Sequence, residues 1–291
     1  MTDRTSNEKS RVLKWLHGDN PVPWGTEPGA YRPELVAQTL EQLKGWLFGP
    51  RGYFSLDARG FENVPAAPVV LVSNHSGGTI IPDVWGFLFA WYSHFGVQRP
   101  LHPLAHEMVL GNRFTGPFFA DRGIIRAEPA LALETLTTFR QDVMVMPGGD
   151  LDAWRPWSMR YQVRFGGRQG YARIALKANV PIVPVANAGA HETLIVLTDG
   201  QWIALAFNLK TIARAHIWPI HLSLPWGLAI GPFPHIPIPA RLRYRIGTPI
   251  EPPETVPPGK EPSPALIDAY DALVRAAVQN LLDELRETRA G

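Results

Sequence analysis

The chain has 291 residues, 45% hydrophobic and 19% charged, a balance that supports a buried core and excludes wholesale disorder. Lys and Arg number 28 and Asp and Glu 26, a net charge of +2, too small by itself to point to nucleic acid. Cysteine is absent, which removes disulfides, thiolate nucleophiles and Cys-ligated metal centres together.

In chain order, residues 1–30 are polar and irregular and carry no apolar leader-like stretch. The spacing of Val36, Leu40, Leu43 and Leu47 predicts an amphipathic helix over 33–49, opened by Pro33 and stopped by Gly49-Pro50. Its end, Trp46-Leu47-Phe48, suits either the core or a lipid surface. Strands are predicted at 53–58 and 69–73, a compact helix at 84–95, a helix at 130–140, a strand at 143–146, a helix at 169–178 and a strand at 182–185. This alternation predicts an α/β fold, a mostly parallel central sheet flanked by helices with N- and C-terminal helical additions.

Residues 193–240 are apolar and Pro-rich. The uncharged run 215–240 holds six prolines, which is incompatible with a membrane-spanning helix. A strand is expected at 242–246. The last helix has Ser263 as N-cap and Pro264 at its first position, with Leu266, Tyr270, Leu273, Ala277, Leu281 and Leu285 tracing one face. Three units are expected: a helical segment at 1–50 that contacts membrane, an α/β core at 51–252, and a C-terminal helix at 253–291 packed on it.

No P-loop, G-x-S-x-G or H-E-x-x-H motif is present. Three clusters remain. Ser73-Asn74-His75-Ser76-Gly77-Gly78 follows a buried-type strand and precedes Asp83; an imidazole at a strand's carboxyl end, with a carboxylate to hold one ring nitrogen, suits a general base. Gly116-Pro117-Phe118-Phe119-Ala120-Asp121-Arg122-Gly123 offers an Arg for an anion or for a surface ion pair. Pro147-Gly148-Gly149-Asp150-Leu151-Asp152 ends a strand in a tight turn bearing carboxylates. From 153 to 191 there is no acidic residue, while Arg155, Arg160, Arg164, Arg168, Arg173 and Lys177 interleave with aromatics. That run suits CoA phosphates and adenine, anionic lipid head groups, single-stranded nucleic acid or a solvated face.

Taken in order, these blocks resemble the phospholipid/glycerol acyltransferase superfamily that includes lysophosphatidate acyltransferases. Asn-His comes first, then G-x-x-F-x-x-R as Gly116, Phe119 and Arg122, then Pro-x-Gly as Pro147 and Gly149, then Val180-Pro181-Ile182-Val183-Pro184. The Pro-Gly-Gly form, with Gly189-Ala190-His191-Glu192 and 240–250, looks nearest the branch of diacylglycerol acyltransferase type 2 and phytyl ester synthase-like proteins. Two departures stand out: seven residues separate His75 from Asp83 where the family has four, and Gly148 stands where a Glu is usual.

The resemblance implies an O-acyltransferase that moves a fatty acyl group from acyl-CoA or acyl-carrier protein to a hydroxyl of a glycerolipid or other lipid alcohol. His75 is then the base and Asp83 its partner. Asn74, Ser76, Gly77, Gly78, Gly116, Phe119, Arg122, Gly123, Pro147, Gly148, Gly149, Asp150, Asp152 and Arg155 are its substrate-binding residues. No cofactor, metal or nucleic acid is implied, and the expected place is the cytoplasm, peripheral to the inner face of the membrane. An acyl-CoA or ester hydrolase, and a non-catalytic lipid- or CoA-binding protein, are the alternatives.

Overall fold

The computed structural model describes residues 24–49, 51–209 and 216–288; of the expected 1–50 segment, residues 1–23 and 50 lie outside them. Seven strands, β1 (Ser55–Arg59), β2 (Val70–Ser73), β3 (Leu101–Ala105), β4 (Ile125–Arg126), β5 (Asp142–Val145), β6 (Ile182–Ala188) and β10 (Arg241–Ile246), form one sheet in the order β1-β10-β6-β2-β5-β3-β4. Five run parallel from β6 to β4; β10 is antiparallel to β6 and carries β1 parallel beside it. The expected mostly parallel sheet is what the chain forms.

Period-2 alternation in the central strand builds the three layers. Leu71 packs with α1 (Pro33–Trp46) and α2 (Pro82–Phe95), through Val36, Phe87 and Trp91. Its neighbours Val70 and Val72 pack on the opposite side with α3 (Pro129–Thr137), α4 (Gly170–Ala178) and α5 (Pro264–Glu287). Ser263 caps α5, its hydroxyl accepting from the Leu266 N–H at 3.2 Å. The buried face of α5 differs from the expected stripe: Ile267, Tyr270, Val274, Val278, Leu282 and Leu285 face inward, and Leu273 is exposed. Alternating steps of three and four from Tyr270 fit both sets, and only contact with β6 and β10 selects one.

The Pro-rich stretch, for which periodicity gave no elements, forms a second antiparallel sheet. It comprises β7 (Ile195–Thr198), β8 (Ile220–Ser223) and β9 (Gly227–Ile230). Strands of four residues are too short for alternation to be separated from a continuous apolar run.

Candidate active site

The site lies beyond the carboxyl ends of β2, β5 and β6, where open α/β sheets gather ligands. The junction between β2 and β6 is stitched by two amides. Asn74 Oδ1 accepts from the Asn187 N–H at 2.8 Å, and Asn74 Nδ2 donates to the Asn187 carbonyl at 2.9 Å. Asn187 Nδ2 donates back to the Asn74 carbonyl, and Ser76 Oγ donates to Asn187 Oδ1 at 2.9 Å. Both side chains of Asn74 and Ser76 are buried. They extend the sheet's pairing past its last strand residue and fix the loop that carries His75.

That loop folds back on itself. Gly77 (φ +98°), Gly78 (φ +65°) and Ile81 (φ +47°) take left-handed backbone, and 78–80 form a short helical turn. A Cβ on Gly77 would lie 2.6 Å from Pro82 Cδ, so a glycine is needed there for close approach as well as for its φ. The extra turn absorbs the longer spacing and delivers Asp83, in the first turn of α2, to His75: Nδ1 and Asp83 Oδ2 are 2.7 Å apart. The same oxygen accepts from the Ser76 N–H at 2.8 Å, and the Asp83 carbonyl accepts from Tyr244 Oη at 2.9 Å. Asp83 is wholly buried while the His75 side chain keeps 14% of its exposure.

Burial alone pushes the His75 imidazole down, but the Asp83 carboxylate, by charge and by hydrogen bond, and then Asp152 outweigh it, and the net direction is up. Held by a carboxylate at Nδ1, the neutral ring carries its proton there and presents Nε2 as the acceptor.

A second carboxylate pins the same residue from behind. Asp152 Oδ2 accepts from the His75 main-chain N–H at 2.6 Å, and its Oδ1 pairs with Arg155 Nη1. Both side chains are buried, and burial drives the Asp152 carboxyl upward against the pull of Arg155. Arg155 Nη1 also donates to the Gln162 carbonyl at 2.8 Å, whereas Nε and Nη2 are buried with no protein partner. Asp152 and Arg155 line a small cleft with Ser76, Gly77, Trp157 and His191, bounded by Leu194 and Val196.

The Pro-Gly-Gly turn is held from outside: Arg168 Nη1 donates to the carbonyls of Pro147 and Gly148 at 3.1 and 2.8 Å, and Nη2 reaches Asp150 at 3.2 Å. The Gly149 N–H donates to the Met146 carbonyl at 3.1 Å. Pro147, Gly149 and Asp150 are thus committed to the turn, and Asp152 alone of the two aspartates reaches His75.

The rest of the Arg run also has intramolecular partners. Arg164 pairs with Asp199 at 3.0 Å, Arg160 lies over the Trp157 ring at 4.6 Å, and Arg173 and Lys177 both reach Glu261.

Gly116, Phe119, Arg122 and Gly123 are not brought to this cleft. Gly116 packs under Trp24, and the Gly123 carbonyl accepts from His102 Nδ1 at 2.8 Å. Phe119 and Arg122 line a second, shallow apolar cleft between α1 and α2, with Val36, Leu40, Leu43 and Trp85. Arg122 is 3.7 Å above the Phe118 ring and donates to Thr39 Oγ1 at 2.8 Å. Asn187 and Tyr244 were not singled out from sequence; Asn187 carried one signal, its place at the end of the Val-Pro-Ile-Val-Pro strand.

An α/β sheet bearing a His–Asp pair at its carboxyl edge defines a class of proteins equipped for proton transfer. The Acyltransferase family model matches residues 55–188, which span this sheet from β1 to β6. Over that segment the chain is similar to the acyltransferases. It is 27% identical over 245 residues to an uncharacterized protein of Mycobacterium leprae, covering 82% of this chain and 59% of that one. It is 29% identical over 164 residues to Diacylglycerol O-acyltransferase 2-like protein 6 of Bos taurus, covering 53% and 47%. The chain thus spans about half to three-fifths of these relatives. The lysophosphatidate acyltransferase PlsC of Thermotoga maritima superposes loosely, with TM-score 0.44 and 18% identity over 97% of this chain and 84% of that one. Among the described residues, no helix is long and apolar enough to cross a membrane.

Proposed function

We propose that the protein transfers a fatty acyl group from an acyl thioester, acyl-CoA or acyl-carrier protein, to the hydroxyl of a lipid alcohol, with His75 as general base. The observation that carries this reading is the His75–Asp83 pair, 2.7 Å apart through Nδ1, on a ring that is not fully enclosed. Nε2 takes the hydroxyl proton as the alkoxide oxygen attacks the thioester carbonyl. The tetrahedral intermediate collapses with loss of the thiolate, which takes the proton back from the imidazolium. Asp83 holds the tautomer and stabilises the imidazolium. The N–H groups of Gly77 and Gly78, ahead of the helical turn, are the donors for the oxyanion.

The charge beside His75 favours a neutral acceptor such as a mono- or diacylglycerol. Arg155, the cation of the cleft that the neighbouring Ser76 and Gly77 line, is already balanced by Asp152, and Arg122 sits in the other cleft. The free Nε and Nη2 edge of Arg155 suits an uncharged ester or thioester oxygen.

The test is transfer from radiolabelled palmitoyl-CoA to monoacylglycerol, diacylglycerol, lysophosphatidate or no acceptor. Label is expected in an acylated neutral glycerolipid, with His75→Ala lowering the rate by about 10²–10⁴-fold while the protein stays folded. Release of fatty acid at a rate indifferent to any acceptor indicates a hydrolase instead, and unchanged transfer by His75→Ala refutes the assigned base.

A further inference from the structure

The second sheet has two faces of different fate. Strand register places Val196, His221 and Ala229 in one row across β7, β8 and β9, and all three are buried, His221 with its ring 4.9 Å from that of Trp154. The next row, Ile195, Leu222 and Leu228, points the other way and is exposed. An antiparallel sheet with one free face ordinarily turns polar residues outward. Here that face is apolar throughout: Leu197, Leu224 and Ile230 continue it, and Trp226, Phe233, Ile236 and Ile238 rim it. These ten side chains are 38–63% exposed and amount to on the order of 10³ Å² of apolar surface, beyond the few hundred Å² usual for a single patch on a monomer.

Two properties of the face select its occupant. Between 193 and 240 the only charged side chain among the described residues is Asp199, which pairs with Arg164. Part of the backbone around the face is also spoken for. Six prolines between 219 and 239 remove donors, Gly231, Ile236 and Ile238 donate to the carbonyls of Pro219, Leu224 and Thr193, and the Trp226 indole donates to the Pro234 carbonyl. A protein partner is recognised through about one hydrogen bond per 100–200 Å², and the ten side chains of this face carry a single polar group, the Trp226 indole N–H, which is already bonded. A lipid interface asks for apolar and Trp side chains whose polar groups are already satisfied.

We propose that the outer face of the β7–β8–β9 sheet docks shallowly into the surface of a lipid bilayer. The proposal deepens the acyl-transfer reading by stating where its lipid substrates enter. Val196, on the inner face, lines the cleft beside Ser76 and Gly77, and Thr79 Oγ1 donates to the Pro232 carbonyl at 3.0 Å, so the same sheet backs the site and meets the membrane.

The test is co-sedimentation of the full chain with vesicles of phosphatidylcholine and phosphatidylglycerol, alongside Leu222→Glu/Leu228→Glu and, as a control on a different exposed face, Leu273→Glu. The wild type and Leu273→Glu are expected to sediment with vesicles equally at 0.1 and 0.5 M salt, since the contact is uncharged. The double variant is expected to lose at least tenfold in partition while keeping its melting temperature. Failure of the wild type to sediment, or retention by the double variant, overturns the proposal. So does a wild-type dimer that ignores vesicles and is dissociated by the double variant, an outcome that assigns the face to a second copy. Partition is read without turnover: vesicle binding with no acyl transfer overturns the enzymatic reading alone, and transfer to a dispersed acceptor without vesicle binding overturns this one alone.

Discussion

Replacing Asp83 separates two contributions that the geometry combines. Asp83 Oδ2 accepts from both His75 Nδ1 and the Ser76 N–H, at 2.7 and 2.8 Å, while Oδ1 is buried without a partner. In Asp83→Asn the amide oxygen takes the Oδ2 position, keeps both bonds and the ring tautomer, and loses only the charge. A hydrogen bond to a charged group is worth about 1.5–3 kcal/mol and a neutral one about 0.5–1.5. The difference, about 1–2 kcal/mol, predicts a rate loss of about 5–30-fold. Asp83→Ala removes tautomer control as well, and the full general-base contribution of about 10²–10⁴ is expected to go.

The pH profile is an independent check. Because the His75 pKa is raised, the free base forms as pH climbs through a midpoint above 6.5, so kcat/KM rises there, and Asp83→Asn moves that midpoint down. The same raised pKa stabilises the fold most below pH 6.5, and that increment fades as pH passes the folded-state value. Single-turnover transfer from palmitoyl-CoA across pH 5.5–9, with thermal melts, measures both. If folded Asp83→Ala keeps its rate within about threefold, or the Asn variant keeps the wild-type midpoint, Asp83 is not the partner that makes His75 basic.

Other perturbations test the scaffold. Gly77→Ala strains a φ of +98° and crowds Pro82 at the entrance to α2; a loss of about 1–3 kcal/mol in urea unfolding is expected, with slowed transfer, and a neutral result refutes the need for glycine. Asp152→Ala leaves Arg155 buried and unpaired, and about 3–5 kcal/mol of stability is expected to vanish by the same measurement. His235 is buried beside Trp154 and His221, and burial pushes its imidazole down to about 4. A depressed histidine costs stability as pH falls from 6.5 toward 4, by about 2–3 kcal/mol at the low end. His235→Phe is expected to flatten that acid limb of stability against pH, and an unchanged limb places the acid sensitivity elsewhere.

Much of the sheet was legible because its strands are buried on both faces and read as short apolar runs, Val70 to Val72 and Ile182 to Val185, separated by helices with clear punctuation. The His75–Asp83 pairing was readable as residue types but not as a distance, because three residues of positive φ set the fold of the loop between them. The Arg run stayed open for a different reason. Sequence spacing shows that cations cluster along the chain, but not that Asp199, Glu261 and the Pro147 and Gly148 carbonyls come from elsewhere to meet them. The 193–240 stretch had apolar character plain to see, yet which side chains face out depends on cross-strand register, which no local pattern encodes.

Gly148 and Asp152 explain one another. A Cβ at Gly148 would collide with the Asp152 side chain and with the Arg164 carbonyl, 2.5 Å away. No glutamate fits at 148 while Asp152 fills that space, and Asp152 fills it because the His75 N–H and Arg155 require a buried acceptor there. The carboxylate near the Pro-Gly-Gly turn therefore holds the His75 backbone from behind the loop. A Gly148→Ala variant is the test: its Cβ meets the Asp152 Cβ and the Arg164 carbonyl, so a loss of about 1–3 kcal/mol in urea unfolding is expected, and a neutral result refutes the crowding that ties position 148 to Asp152.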